Sequence, residues 1–402
     1  MQKKVLPILF LTLLLDMIGI GMIIPIIPVI FTDPASPSFL LQGYSTSMQF
    51  LIAGLITALF GLMQFIAAPI LGELSDVYGR KRLLTLGVGV LAISQLVFGF
   101  GIEVASVAVL LVARAVAGLA GANFSIAQAA IADVSAPEDR AKNFGLIGAA
   151  FGIGFILGPL LGGWIAAAAG NPAAPFWAAG ALGVLNVVFI SLFLPETNTN
   201  KTAANKFHIL KGVRNIRSAF EDKDARPVYT ANFLYMGGFA FFTSFSGILL
   251  VQRYGLDEAG IGTFFGVVGV CMVITQLFII RIVTKHYKER PIVRFTVPVV
   301  AASMAAFPFI GSIGLTYALI PIIAVAQGLT MANMTSLVSK SVSPEKQGAA
   351  LGINGSLMAF SQGVIPLVAG GGAGIIGVHA PFIAAAVFMA GSWWVLVGPG
   401  HR

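Results

Sequence analysis

Twelve predominantly apolar stretches of roughly 20 residues or more recur along this chain, at about 5–31, 47–71, 83–101, 105–132, 143–169, 176–194, 228–252, 259–284, 292–311, 315–338, 348–376 and 380–398. Each is long enough to cross a ~30 Å hydrocarbon core. Lipid offers a peptide group no hydrogen bond, so a crossing segment must satisfy its own backbone, and runs of this length do so as helices. The sequence therefore predicts an all-α membrane protein. Composition agrees: 57% of the 402 residues are hydrophobic, 10% are charged, and mean hydropathy is +0.92. A soluble domain carries about 25% charged residues.

The net charge of +8 reports topology. With both termini on the cytoplasmic side, 22 of the 24 Lys and Arg fall on that side, Arg253 falls outside and Arg114 lies within the membrane. The outer loops are acidic instead, with Asp33, Glu103, Asp257 and Glu258. This is the positive-inside pattern, and it removes the basic balance as an argument for a nucleic-acid partner. Lys3 and Lys4 precede an apolar run that is too long for a signal peptide, contains Asp16, Pro25 and Pro28, and has no cleavage site after it. It reads as a retained first helix. Cys271 is alone, the four histidines are scattered, and the N-x-S/T sequons at Asn123, Asn333 and Asn354 lie inside spans. Neither a disulfide nor a metal site is expected, and no cofactor. With no phosphate loop and no nucleophile–base spacing, no enzyme is indicated. Compact loops point to the inner membrane of a prokaryotic cell; the lipid bilayer is the expected surrounding and a monomer the expected state.

Two charges lie deep inside spans: Asp16 in the first and Arg114 in the fourth. A guanidinium at bilayer depth costs at least ~2.5–3.5 kcal/mol on the lenient insertion scales. Such residues are kept where they face a polar cavity or a partner, although either could be structural, with Arg114 bonded to carbonyls. Direct pairing of the two stays open. The acid and the base inside the membrane suggest a transporter.

The one long inner connection, Pro195 to Pro227, divides the spans six and six, giving an N-terminal bundle over 1–194, a cytoplasmic linker over 195–227 and a C-terminal bundle over 228–402. Within it Phe207, Leu210, Val213, Ile216 and Phe220 recur at about helical spacing among Lys and Arg. That reads as an amphipathic helix on the membrane surface, or as a solvated linker. The halves repeat: shifting residues 121–163 by 207 superposes Gly121 on Gly328, Pro137 on Pro344, Glu138 on Glu345, Gly145 on Gly352, Gly148 on Gly355, Pro159 on Pro366, Leu160 on Leu367 and Gly163 on Gly370. These are mostly residues that dictate backbone geometry, which argues for two six-helix pseudo-repeats.

The segment between spans two and three, Gly72-Glu73-Leu74-Ser75-Asp76-Val77-Tyr78-Gly79-Arg80-Lys81-Arg82, puts a carboxylate and three cations between spaced glycines. Its cations suit an ordinary inner loop; Gly72, Asp76 and Gly79 need another reason, a tight turn and ion pairs at a seam. The segment resembles the signature loop of the major facilitator superfamily, G-x-L-[AS]-D-x-x-G-R-[KR]-[KR]. The resemblance implies that fold, with a substrate site between two parallel repeats. It implies a gating loop of Gly72, Asp76, Gly79, Arg80 and Lys81, with Asp76 against the start of the eleventh helix and Arg80 paired to Asp133 at the end of the fourth. The second-half counterpart, Arg281 to Pro291, has lost the pattern and keeps mainly basic residues.

The fifth span carries Gly145, Gly154, Gly158, Pro159, Gly162 and Gly163. Small residues on one face let helix backbones approach, and the spacing is similar to the antiporter motif of drug–proton exporters in that superfamily. Arg114-Ala115-Val116-Ala117-Gly118 looks like its R-x-x-x-G motif, linked there to proton transfer. Asp16, Gly19, Gly21, Pro25 and Pro28 resemble the first-helix pattern of the same exporters. Leu62-Met63-Gln64-Phe65, Ala68-Pro69-Ile70-Leu71-Gly72, Ile131-Ala132-Asp133 and Glu138-Asp139-Arg140-Ala141 look most like the tetracycline-resistance exporters. This chain departs from them, with Ser94 and Gln95 where they carry an acid in the third span and no acid between Ile292 and Gly311. Both departures point away from tetracycline as substrate.

Gln64, Asn123, Asn232, Gln276 and Asn333 are the amides that would line a substrate cavity; each could equally be an interhelical hydrogen bond. With 31 Phe in the chain, aromatic walls and few fixed charges would suit lipophilic solutes. The reading is efflux of small lipophilic compounds by alternating access, in exchange for protons carried on Asp16 with Arg114 as its partner. Rival readings are a uniporter or importer of another small solute, and a non-transporting membrane sensor.

Overall fold

The computed structural model describes residues 2–121, 123–136, 140–198, 211–221, 225–343 and 347–398. Among them all regular structure is helical, and twelve helical segments are long and apolar enough to cross a membrane. Span one is α1 (Gln2–Gly21) followed by α2 (Ile26–Thr32), span two α3 (Thr46–Tyr78), span three α4 (Arg80–Glu103). Span four is α5 (Val107–Ala120) and α6 (Asn123–Val134), span five α7 (Arg140–Ala169), span six α8 (Ala174–Phe193). After α9 (Lys211–Glu221), span seven is α10 (Arg226–Tyr254), and span eight α11 (Glu258–Ile274) running through a π-helical stretch, Thr275–Ile279, into α12 (Ile280–His286). Spans nine to twelve are α13 (Glu289–Ala306), α14 (Ile313–Lys340), α15 (Gln347–Ile376) and α16 (Ala380–Val397).

Breaks inside spans are local and satisfied. At Met22–Pro25 the amides of Ile24 and Ile26 turn back to the carbonyls of Gly21 and Ile23, both at 3.1 Å. This is how a Pro-containing span keeps its polar groups paired without water. Span four, expected as one helix, breaks at Gly121, whose freed carbonyl accepts the Gln64 side-chain amide at 2.9 Å.

The contacts divide the chain into two units. The first comprises residues 1–42, 59–211 and 256–266, the second 43–58, 212–255 and 267–402. Within the first, α1 packs on α6, α7 and α8, and α4 on α5, α6 and α8. Within the second, α10 packs on α14, α15 and α16, and α13 on α14 and α16. The pairing of spans one, three, four, five and six is thus repeated by seven, nine, ten, eleven and twelve, the pseudo-repeat seen in the sequence. The repeat reaches the close crossings. In unit one a Cβ on Gly262 would stand 2.6 Å from the Pro159 carbonyl oxygen and 3.2 Å from Gly163 Cα. In unit two a Cβ on Gly54 would press on the Pro366 carbonyl oxygen and stand 3.2 Å from Gly370 Cα. Pro159 and Gly163 are the residues the 207-residue shift sends to Pro366 and Gly370. The repeat residues Pro137, Glu138, Pro344 and Glu345 lie outside the described residues.

The connection between spans six and seven needs a correction. Its helix covers Lys211–Glu221, with Phe207 and Leu210 outside the described residues, and part of its apolar face is spent on protein. Ala219 is buried and Ile216 packs with Ala225, Val228, Tyr229, Val338 and Leu357, while Asn215 donates to Ser356 Oγ at 3.1 Å. Only Val213 and Phe220 of the apolar set stay exposed, too few for a helix held mainly by lipid.

The crossing geometry predicts that Gly54→Ala, which must displace backbone, destabilises the detergent-solubilised protein by about 1–3 kcal/mol. Gly371→Ala, on the same helix as Gly370 but facing open space, should leave the melting temperature unchanged. Equal melting temperatures for the two variants would contradict the crossing.

Candidate functional site

Asp16 belongs to a stripe. Val5, Leu9 and Leu13 recur every four residues along α1 and enter a core with Leu84, Val88, Ile126, Ile131, Ile147 and Ile190. Asp16 comes three residues after Leu13, on the same face of the helix, so it points into its unit and is only 5% exposed. Asn123 Nδ2, the first residue of α6, donates to Asp16 Oδ2 at 2.9 Å. Asn186 Nδ2, midway along α8, donates to Asp16 Oδ1 at 3.2 Å and to the Thr12 carbonyl at 3.2 Å. Gln95 occupies α4 nearby and donates to the Gly19 carbonyl at 2.9 Å. A gap of about 10 Å³ beside Asp16, lined by Leu15, Gly19, Leu91, Gln95 and Gly183 among others, has room for about one water. The gap is far too small for a drug-sized molecule.

Arg114 is equally buried, at 6% exposed, but does not meet Asp16. Its guanidinium stacks on Phe60, 4.6 Å from the ring centroid, and its Nε has no hydrogen-bond partner among the described residues. Nearby, Ser94 Oγ donates to the Ala113 carbonyl at 2.5 Å, so one of the two residues replacing the third-span acid bonds to backbone beside Arg114.

The glycine motif of α7 faces two ways. Gly154, Gly158 and Gly162, four residues apart, line one face and meet α1 in the turn after Asp16. A Cβ on Gly154 would press into Met17, one on Gly158 would stand 2.7 Å from Gly21 Cα, and one on Gly162 2.7 Å from Met22 Cα. Pro159 and Gly163 take part instead in the crossing with the start of α11. The 207-residue shift sends Gly154, Gly158 and Gly162 to Ser361, Ile365 and Ala369. Only the first unit therefore has the flat glycine face, and it lies against the helix that carries the acid. Gly145 needs correcting: nothing lies within 4 Å of a Cβ placed there, so it contributes no close approach.

The segment between spans two and three is less of a loop than expected. α3 runs to Tyr78 and α4 starts at Arg80, leaving Gly79 alone to turn the chain, at φ 100° and ψ 146°. Gly72 lies within α3 with open space beside it, so it serves neither turn nor packing. Arg80 gathers the segment: it pairs with Asp76 Oδ1, its Nε donates to Asp133 Oδ2 at 3.1 Å and its NH1 to Ser75 Oγ at 2.5 Å. Lys81 Nζ donates to the Ser191 carbonyl at 2.8 Å. A cation at a helix start and an acid at a helix end both oppose the helix dipoles. Residues from the expected linker compensate. Glu196 Oε1 accepts the Arg80 backbone N–H at 2.8 Å, capping α4, whose N-cap glycine has no side chain to do so. Thr197 Oγ1 donates to Asp133 at 3.3 Å and Asn198 Nδ2 to the Asp76 carbonyl at 2.8 Å.

The second-half counterpart keeps a pair with its signs exchanged. Glu289, in the first turn of α13, pairs with Lys340, in the last turn of α14, and accepts from Ser336 Oγ at 3.0 Å. Lys340 is where the 207-residue shift sends Asp133. Acid at a helix start and base at a helix end follow the dipoles, so this pair needs no further caps.

Four of the five amides expected around a cavity hydrogen-bond within their own units. Gln64 bonds to Gly121 and Asn123 to Asp16; Asn232 donates to Asn354 Oδ1; Asn333 donates to the Leu329 carbonyl at 2.7 Å. Gln276 sits in the π-helical stretch, half-buried. Asn186 and Glu196 were missed. Asn186 is the one amide in a sixth span that is otherwise apolar but for Ser191, which was its available signal; Glu196 followed the last apolar residue and read as linker.

Arg80 has a side chain 8% exposed, and that of Lys340 is 63% exposed. Asp133→Asn should therefore cost about 1.5–3 kcal/mol, and Lys340→Gln less than about 1 kcal/mol. Chemical denaturation in detergent compares them; the reverse order would refute the assignment.

Residues 9–366 match the family model described as Major Facilitator Superfamily. The chain is 27% identical over 371 residues to the class C tetracycline resistance protein of Escherichia coli, covering 89% of this chain and 86% of that protein. It is 26% identical over 406 residues to the quinolone resistance protein NorA of Staphylococcus aureus, covering 100% and 98%. Among solved structures, the human organic anion transporter MFSD10 (TETRAN) superposes with a TM-score of 0.74 at 24% identity, over 98% of this chain and 99% of that one.

Proposed function

The chain belongs to the Major Facilitator Superfamily, and from that premise we propose that it exports small lipophilic compounds in exchange for protons, with Asp16 as the proton-carrying residue. One observation carries the reading: a carboxylate deep in a span, 5% exposed, whose oxygens are held by two neutral amides and by no cation among the described residues. A buried ion is expensive unless paired. A carboxylate locked to a guanidinium would keep its charge throughout a transport cycle; one held by amides can take up a proton. Arg114 supplies the fixed cation that Asp16 faces in the other half of the cycle. The glycine face of α7 lets the Asp16 helix shift against it, and the Asp76–Arg80–Asp133 cluster sets the balance between the two halves of the cycle. Relatives named as tetracycline and quinolone resistance proteins support export as the direction.

The test is accumulation of a panel of fluorescent lipophilic compounds in everted vesicles under an imposed pH gradient. The wild type should accumulate at least one compound, and Asp16→Asn, which keeps the shape and removes titration, should accumulate none. Asp76→Ala should lose most transport at normal abundance in the membrane. Accumulation by Asp16→Asn would make Asp16 structural and move coupling elsewhere.

The Lys/Arg asymmetry supports cytoplasmic termini, and the proposed export is across an inner membrane. Reporter fusions at Arg402 and at Gly170 should then report opposite sides; the same side for both contradicts this orientation.

A further inference from the structure

We infer that Asn123 and Asn186 are positioning residues that let Asp16 carry either charge with both carboxyl oxygens hydrogen-bonded, by turning one amide end for end. The inference rests on Asp16 as the proton carrier and says how its environment accommodates both states.

A carboxylate accepts at both oxygens; a carboxylic acid must donate from one of them. A fixed donor, such as a guanidinium or a backbone N–H, can serve an oxygen that stays unprotonated but cannot accept the new O–H. A side-chain amide can do both, because rotation about its last bond exchanges an N–H donor for a C=O acceptor. Asp16 meets one such amide at each oxygen, 2.9 Å to Asn123 and 3.2 Å to Asn186. The carbonyl oxygens of both amides are buried and have no hydrogen-bond partner among the described residues. Two unused buried acceptors are costly, about 1–3 kcal/mol each when no partner exists. Here they flank a group that needs one acceptor when protonated.

No hydrogen bond among the described residues holds either amide carbonyl. Asn123 Oδ1 lies against Gly87, and a side chain at that position of α4 would displace it. Asn186 is held only through Nδ2, by Asp16 and the Thr12 carbonyl. The helices packed on α1 bring no other titratable group to this point. α8 has no charged residue; α6 has Asp133, near its far end; Arg140 and Lys142 fall in the first turn of α7, whereas Gly154 is the α7 residue beside Met17. α4 contributes Gln95, bonded to Gly19, and Arg114 of α5 stacks on Phe60.

The step balances simply. A proton from water bonds to one Asp16 oxygen; the facing amide turns and its carbonyl accepts the new O–H. The other amide keeps donating to the remaining oxygen. On release the proton returns to water and the amide turns back. Neither asparagine exchanges a proton.

The test needs no substrate. Infrared titration of the full-length protein in detergent, with isotope-labelled aspartate, follows the carboxylic C=O stretch that is present in the wild type and missing from Asp16→Asn. Asn186→Leu should move the pH midpoint of that band by about one unit or more, the equivalent of one charge-assisted hydrogen bond. It should also raise the band's frequency, as loss of a hydrogen-bond partner does. Asn123→Leu gives a second, independent reading if Asn186→Leu does not yield folded protein. An unchanged midpoint and frequency in the folded variants overturns the inference while leaving Asp16 as carrier. If Asp16→Asn removes no titrating band from the wild-type spectrum, the carrier reading itself fails.

Discussion

Inside a hydrocarbon layer nothing but the protein can satisfy a polar group, and nothing but close contact holds helices together. Both features of this molecule follow from that constraint. Helices meet where glycines let backbones touch, as at Gly54 on Gly370 and Gly158 on Gly21. Polar groups that enter a span find their partners within the protein. Gln64 answers the carbonyl freed at Gly121, Asn232 answers Asn354, and Asn123 and Asn186 answer Asp16. The acid is therefore a structural demand on three helices before it is a functional group.

The two pseudo-repeats show which features belong to the fold and which to this chain. Pro159 and Gly163 recur as Pro366 and Gly370 and make equivalent crossings, so they serve the architecture. The glycine face toward α1 becomes Ser361, Ile365 and Ala369 in the second unit, so this three-glycine contact belongs to the helix bearing Asp16. The ion pairs diverge in the same way. Arg80 with Asp133 opposes the helix dipoles and recruits Asp76 and Glu196; Glu289 with Lys340 follows them and stands on a more exposed surface.

Much of this was legible in the sequence. Spans declare themselves by length and hydrophobicity, and Asp16 and Arg114 by the cost of burying charge. Repeats declare themselves through Gly and Pro. Partnerships were harder to see. Asn186 has no periodic signature, because a lone amide in an apolar run looks alike whether it meets a carbonyl or an acid. The Glu289–Lys340 pair was invisible to a search for the first-half pattern, because its charges are exchanged. Gly72 and Gly145 erred the other way: a motif spacing included them, yet open space surrounds both. Spacing shows that a small residue is present and cannot show what it faces. Four of the amides expected to line a cavity spend a hydrogen bond within their own unit, since a helix satisfies its polar groups on itself and its neighbours first.

The central claim is that one buried carboxylate exchanges its proton for substrate. Its most direct measure is the proton released or taken up when a transported compound binds the purified protein in weakly buffered detergent solution. The account predicts about one proton per bound molecule in the wild type, as expected for a single titrating group, and none in Asp16→Asn. Equal proton exchange by the wild type and Asp16→Asn would contradict it.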